Sequence, residues 1–203
     1  MKWLMRRMHR PIYQERLRRL VDALLVDVRP GDRLLDVGCG NGTLLHTLAQ
    51  DPRCPAGVTV HGIERIPRGG EPIPVTAYPG GRMPFDDASF DLVIVADVLH
   101  HDGNEHILLA ECARVAARAV IVKDHAREGP FAQARISLLD WAANTMYGVT
   151  CLYRYHSVAE WHEVAARAGL RVARQVHPMK LYPRGWELVF GGRLQYFAVL
   201  TKR

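Results

Sequence analysis

The chain of 203 residues has no apolar run approaching the ~20 residues of a membrane span. Its start, MKWLMRRMHRP, is basic but has no apolar stretch of the kind a secretory signal needs. The four cysteines, Cys39, Cys54, Cys112 and Cys151, form no CxxC pair and no metal-like spacing. A chain of this length folds without disulfides, so reduced thiols and a cytoplasmic location are expected, with no metal. No repeat, low-complexity tract or linker interrupts it, which predicts one domain over residues 1–203. Acidic residues are scarce at the front, where Glu15 stands alone against Lys2, Arg6, Arg7, Arg10, Arg16, Arg18 and Arg19. The net charge of +6 is concentrated there. Such a patch attracts anionic surfaces. No groove-reading motif accompanies it, so nucleic acid is not an expected partner. Trp3, Leu4, Met5 and Met8 beside those arginines could form a lid or touch a membrane surface, but so short a segment better suits a solvated helix end.

Apolar side chains at 17, 20, 21, 24, 25 and 28 predict a helix over 12–28, ended by Arg29-Pro30-Gly31-Asp32. RLLDV (33–37) reads as a strand, 41–50 as a helix and VTVHGIE (58–64) as a second strand. PIPVTAY (72–78) is a weaker strand that its prolines push to an edge. FDLVIVADVL (90–99) is a continuous apolar run suited to burial on both faces. A helix is expected over 106–117, a strand over 118–125, and a helix over 157–170 opened by a capping box at Ser157 and Glu160. Strands over 171–177 and 194–203, too close for a crossover helix, should pair antiparallel. Alternating strands and helices imply a doubly wound α/β fold with a mainly parallel sheet.

The informative stretch is RLLDVGCGNGTLLHTL, residues 33–48. In open parallel sheets, ligands bind beyond the carboxyl ends of the strands where strand order reverses. Glycine there permits close approach and positive φ, and the next helix offers free N–H groups. The run Gly38-Cys39-Gly40-Asn41-Gly42 is GxGxG, not the GxGxxG that carries a pyrophosphate, so a nicotinamide dehydrogenase is not expected. Asp36, two residues earlier, would repel a phosphate but accept from an amino group. A ligand with an amino-acid end fits better.

With these residues in place, the sequence resembles the class I S-adenosylmethionine-dependent methyltransferases. LLDVGCGNG is similar to their first motif, Glu64 to the acid that accepts from both ribose hydroxyls, and MPFDDASFDLVIVADVLHH to the segment through their fourth strand. The HH ending is similar to that of the quinone-biosynthesis-like small-molecule branch. The resemblance covers 33–125. It implies a seven-stranded Rossmann-like sheet with a C-terminal antiparallel hairpin, S-adenosylmethionine as cofactor, and cofactor contacts from Asp36, Gly38, Cys39, Gly40, Asn41, Gly42, Glu64, Arg82, Met83 and Asp97. One feature departs from the pattern. Family members often carry an aspartate for the adenine amino group before the LPF-like step, where this chain reads AYPGGRMPF. Main-chain groups around Gly81–Met83 are the expected replacement.

His100, His101 and His125 are the catalytic candidates, since imidazole can take a proton from a hydroxyl or amine nucleophile. Asp124 could orient an imidazole, although neighbours on a strand point to opposite faces. Asp140, Asn144 and His156 lie in the stretch 126–156, expected as a substrate-side insert, with residues 1–30 as a helical lid. Phe131, Trp141, Met146, Tyr147, Tyr153 and Tyr155 in that insert suit either a core or an apolar pocket wall. The expected reaction is methyl transfer to an O- or C-nucleophile of a small aromatic or lipophilic molecule. The alternative is a protein that binds S-adenosylmethionine without transferring its methyl, as an accessory partner or a cofactor-cyclising enzyme. A nucleic-acid methyltransferase would carry an Asn/Asp-Pro-Pro-Tyr type of signature, which is missing after the fourth strand.

Overall fold

Apolar runs in neighbouring strands fix this architecture, because a strand apolar at every position must be covered on both faces. A computed structural model describes the backbone of residues 2–144 and 151–203 and the side chains of 11–141 and 151–203. The expectations placed on the side chains of Trp3, Leu4, Met5, Met8 and Asn144, and on Met146 and Tyr147, fall outside those residues. The elements are α1 (Lys2–Leu25), β1 (Arg33–Val37), α2 (Thr43–Gln50), β2 (Thr59–Glu64), β3 (Val75–Ala77), β4 (Phe90–Ala96), a 3-10 turn (Leu99–His101), α3 (Glu105–Val115), β5 (Ala116–His125), α4 (Ala132–Asn144), α5 (Val158–Arg167), β6 (Leu170–Val176), α6 (Arg184–Phe190) and β7 (Gln195–Lys202). They form a seven-stranded sheet in the order β3-β2-β1-β4-β5-β7-β6. The pairs from β3 through β5 are parallel. β7 enters antiparallel between β5 and β6. Strand order reverses between β1 and β4, so their carboxyl ends flank the crevice where a ligand would sit.

Each face has its own core. Leu35, Val37, Val93, Val95, Val120, Val122 and Tyr196 pack against Leu109 and Cys112 of α3 and Trp161 and Val164 of α5. Leu34, Leu92, Ile94, Ile121 and Phe197 pack against Leu20, Val21 and Leu24 of α1 and Leu45 and Leu48 of α2. Alternate residues of one strand thus serve opposite layers. The capping box forms: Ser157 Oγ accepts from the Glu160 N–H at 3.2 Å, and Glu160 Oε2 accepts from the Ser157 N–H at 2.6 Å. One turn on, Trp161 Nε1 donates to the His125 carbonyl at 2.8 Å and fixes α5 to the end of β5. Among the described residues, no helix is long and apolar enough to cross a membrane.

Several boundaries differ from the pattern in the sequence; the helix expected over 157–170, for one, ends at Arg167, and Leu170 opens β6. The first helix spans Lys2–Leu25, running through Pro11 and stopping short of Val28. β4 ends at Ala96 because Asp97 adopts a φ of 56°, which turns the chain although apolar residues continue to Leu99. β5 begins at Ala116, since an alanine pair suits either a helix end or a strand start. β3 shrinks to three residues, on the sheet edge as its prolines required. The connection between β6 and β7 contains α6, a helix the composition of residues 177–194 did not announce.

Leu92 is fully buried in the layer under α1 and α2. Leu92→Ala should cost about 2–5 kcal/mol. Urea unfolding should show a lower midpoint with an unchanged slope; an unchanged midpoint would mean that this layer is not packed as described.

Candidate functional site

The glycine run begins where β1 ends. Gly38 and Cys39 donate their N–H groups to the Ile63 carbonyl of β2, at 2.8 and 3.1 Å, which pins the loop to the neighbouring strand. Gly38, Gly40 and Gly42 have φ of 70°, 58° and 72°. A Cβ at Gly38 would lie 2.5 Å from Val98 Cγ2, and one at Gly42 would lie 2.8 Å from Ile73 Cγ1. A Cβ at Gly40 would meet nothing within 4 Å. The loop is therefore wedged at both ends and open in the middle. Asn41 steadies the exit, accepting through Oδ1 from Thr43 Oγ1 at 2.7 Å and from the Thr43 N–H at 3.3 Å.

Two acids flank the opening. Glu64 closes β2 and accepts from the Gly40 N–H at 2.8 Å and from the Arg65 N–H at 2.8 Å. Asp36 is buried, 3% exposed. Burial, with the Glu64 charge added, pushes its carboxyl up to about 7. Cys39 is also buried, and burial with the same two acids raises its thiol to about 12. It packs over Gly62, where a Cβ would approach its Sγ to 2.5 Å, and is inert as a nucleophile.

Asp97 sits at the end of β4 in a conformation rare for a residue with a side chain. Its carboxylate accepts from Arg16 of α1 and from Lys123 of β5, itself 1% exposed. Burial opposes the Asp97 charge, but the two cations outweigh it and hold the carboxyl well below the usual range. Arg16 and Lys123 were not foreseeable as partners, because nothing local in either segment signals a contact 81 or 26 residues away.

The Gly81–Met83 segment is already engaged within the chain. The Met83 N–H donates to Glu111 Oε1 at 2.7 Å, the Met83 carbonyl accepts from Arg114 at 3.2 Å, and the Gly81 carbonyl accepts from Tyr78 at 2.5 Å. These bonds occupy main-chain groups expected to serve an adenine. Arg82 is exposed, 3.8 Å from Asp87. A hollow of about 530 Å³ opens over Arg82, Met83, Pro84, Phe85, Asp86 and Ser89.

Beyond β4, the 3-10 turn carries His100 and His101 into a cluster with β5 and α4. His100 Nδ1 donates to Asp124 Oδ1 at 2.6 Å. Asp124 thus orients His100, not its chain neighbour His125. Asp140 of α4 places Oδ1 3.6 Å from His100 Nε2 and 3.8 Å from His101 Nε2, and its Oδ2 accepts from Tyr155 at 2.7 Å. Burial disfavours a charge on His100, yet Asp124 and Asp140 lift it to about 10. His125 goes the other way: burial and the Lys123 and His100 charges lower it to about 3. The rings of His100 and His101 lie 4.0 Å apart, and those of His100 and His125 5.1 Å. His156 is drawn off to Glu105 at 3.0 Å. The wedge of Val98 against Gly38 links this cluster to the glycine loop.

A family model described as a methyltransferase domain matches residues 8–175. The 27-O-demethylrifamycin SV methyltransferase of Amycolatopsis mediterranei is 33% identical over 119 residues, covering 50% of this chain and 42% of that protein. The demethylmenaquinone methyltransferase of Streptomyces griseus is 32% identical over 109 residues, covering 50% of this chain and 45% of that protein. The chain thus spans less than half the length of these relatives. Among solved structures, the magnesium protoporphyrin IX methyltransferase of Synechocystis PCC 6803, with bound SAH, superposes with a TM-score of 0.59 at 19% identity. The match covers 94% of this chain and 84% of that one, a likeness of fold.

The raised carboxyl of Asp36 has a pH signature. Between its ordinary 3.8 and about 7, the folded chain keeps a proton that the unfolded chain has released. Stability is therefore lost as pH rises through that window. Asp36→Asn removes the cost, so its melting temperature should exceed the wild type's above pH 7, by ~2–4 °C per kcal/mol recovered. The two should converge near pH 4. A constant difference across pH would contradict an uncharged, buried Asp36.

Proposed function

The chain belongs to the methyltransferase domain family, and on that premise we propose that it binds S-adenosylmethionine over the Gly38–Gly42 loop and transfers its methyl to a small acceptor. The observation that carries this reading is the loop itself, wedged by Val98 and Ile73, open at Gly40, and flanked by Asp36 and Glu64. The residues fit the group. A buried carboxyl held near neutrality gains a partner when a cationic amino group arrives, and Glu64 is free to turn from a glycine N–H toward ribose hydroxyls. Asp36 beneath the loop disfavours a phosphate there.

S-adenosylmethionine, when bound, supplies a methyl already activated by its sulfonium charge, so the protein's part is alignment and exclusion of water. Asp36 would hold the amino end, Glu64 the ribose, and the Gly38–Gly42 backbone the body of the cofactor, with Cys39 and Asn41 shaping the loop. Asp97, drawn down by Arg16 and Lys123, fixes the turn that presents His100 and His101 at the acceptor side. Arg82 and Met83 border the hollow on the adenine side. We take residues 1–30 as a lid, a role supported by the Arg16–Asp97 ion pair, and 126–156 as the substrate-side insert.

The acceptor we favour is an O- or C-nucleophile on an aromatic or lipophilic small molecule. Phe131, Trp141 and Tyr153 stand exposed in the insert at 85%, 54% and 42%, which suits an apolar acceptor face. The rifamycin and menaquinone names of the two relatives are of the same chemical kind.

Isothermal titration with S-adenosylmethionine should give one site, and Glu64→Ala should weaken it about tenfold through one or two lost hydrogen bonds. Unchanged affinity would remove Glu64 from the site. Mass spectrometry of reactions with phenolic and quinol-type acceptors should then show the gain of one methyl. Binding without transfer to any acceptor would favour a cofactor-binding protein that does not methylate.

A further inference from the structure

His100, His101 and Asp140 each offer one potential ligand atom to the same small region. The three atoms, from the 3-10 turn and from α4, lie within 4.8 Å of one another in a buried to half-buried setting. Two of the separations are 3.6 and 3.8 Å, from Asp140 Oδ1 to His100 Nε2 and to His101 Nε2. Both exceed a hydrogen bond. These two edges need a closure of a few tenths of an ångström to hold a central ion at ~2.0–2.2 Å, and the two imidazoles draw together further, since the three atoms spread over as much as 4.8 Å. We propose that these three side chains form a divalent transition-metal site, with zinc the first choice for a two-imidazole, one-carboxylate set.

The surroundings have the organisation that metal sites require beyond their ligands. A ligating histidine donates its second nitrogen to a carboxylate, which fixes tautomer and ring orientation. His100 does this to Asp124 at 2.6 Å, leaving Nε2 as the ligand atom. The ligating carboxylate is held in turn by the Tyr155 hydroxyl on Asp140 Oδ2 at 2.7 Å. A dication here takes the place of the His100 proton as the positive charge between Asp124 and Asp140. Three protein ligands leave positions open for an external oxygen. On the methyl-transfer reading, that oxygen belongs to the acceptor, whose acidity the ion raises. The site itself does not depend on that reading. No pattern in the sequence announces it, because Asp140 follows the histidine pair at a distance no metal motif uses.

The test uses the untagged full chain, stripped with a chelator and titrated with Co(II) and Zn(II). The wild type should take up one equivalent, and Co(II) should give visible ligand-field bands that Zn(II) displaces. His101→Ala and Asp140→Asn should weaken uptake at least ~100-fold, Asp124→Asn by ~10–100-fold. His162→Ala, an exposed histidine outside the cluster, should bind as the wild type does. Should the buried variants fail to fold, X-ray absorption on the Zn(II)-loaded wild type reads the site directly, and two imidazoles are expected among the ligands. No uptake by the wild type, uptake undiminished in folded His101→Ala, or fewer than two imidazoles would overturn the proposal. Uptake without methyl transfer leaves the site standing and retires the transfer reading; transfer by a metal-free chain supports the transfer reading and retires the ion's part in it, while the site stands or falls on uptake.

Discussion

Asp36 and Glu64 stand at the carboxyl ends of adjacent parallel strands, with glycine backbone filling the space between them. That juxtaposition is unfavourable in isolation. One carboxyl is buried and lifted toward neutrality, and the other spends its hydrogen-bonding capacity on a glycine N–H. The sheet imposes the cost: β1 and β2 pair with Asp36 opposite Gly62 and Val37 opposite Ile63, which brings Glu64 to the same edge. A buried carboxyl and a second acid kept together at the carboxyl edge of a parallel sheet cost stability, and the proposed cofactor site gives that cost a use.

The rest of the site hangs from the end of the next strand. Asp97 turns out of β4 with a positive φ, and two buried or half-buried cations hold it there. Removing one partner from such a group leaves an uncompensated buried charge and is strongly destabilising. The same turn sends Val98 against Gly38 and His100 against Asp124. The glycine loop, the helix α1 and the histidine cluster are thereby coupled through three positions within four residues of the chain, 97, 98 and 100.

Much of this is legible in the sequence. The period of RLLDV and FDLVIVA, the glycine spacing and the capping box at Ser157 are local signals, and local signals survive folding. So are the parallel core, the edge position of the proline-bearing strand and the antiparallel closing pair. What could not be read depends on contacts across the sequence. Lys123 looks like the polar end of a strand, and only its burial beside Asp97 makes it part of the site. Asp124 was adjacent to His125 and turned out to serve His100, because alternation along β5 sends 124 and 125 to opposite sides. α6 went unread because residues 177–194 are too short and too mixed to show a period. Gly81–Met83 carried a ligand expectation that could not know of Glu111 and Arg114, held nearby by α3.

The central claim is that an adenosyl amino acid lies over Gly40 between two carboxylates. A crystal structure of the chain with saturating S-adenosylhomocysteine addresses it most directly. The account predicts electron density along the loop, with the Glu64 carboxylate rotated off the Gly40 N–H and onto the ligand's hydroxyls. Density at another site, or an empty loop with the Glu64 to Gly40 bond intact, would contradict it.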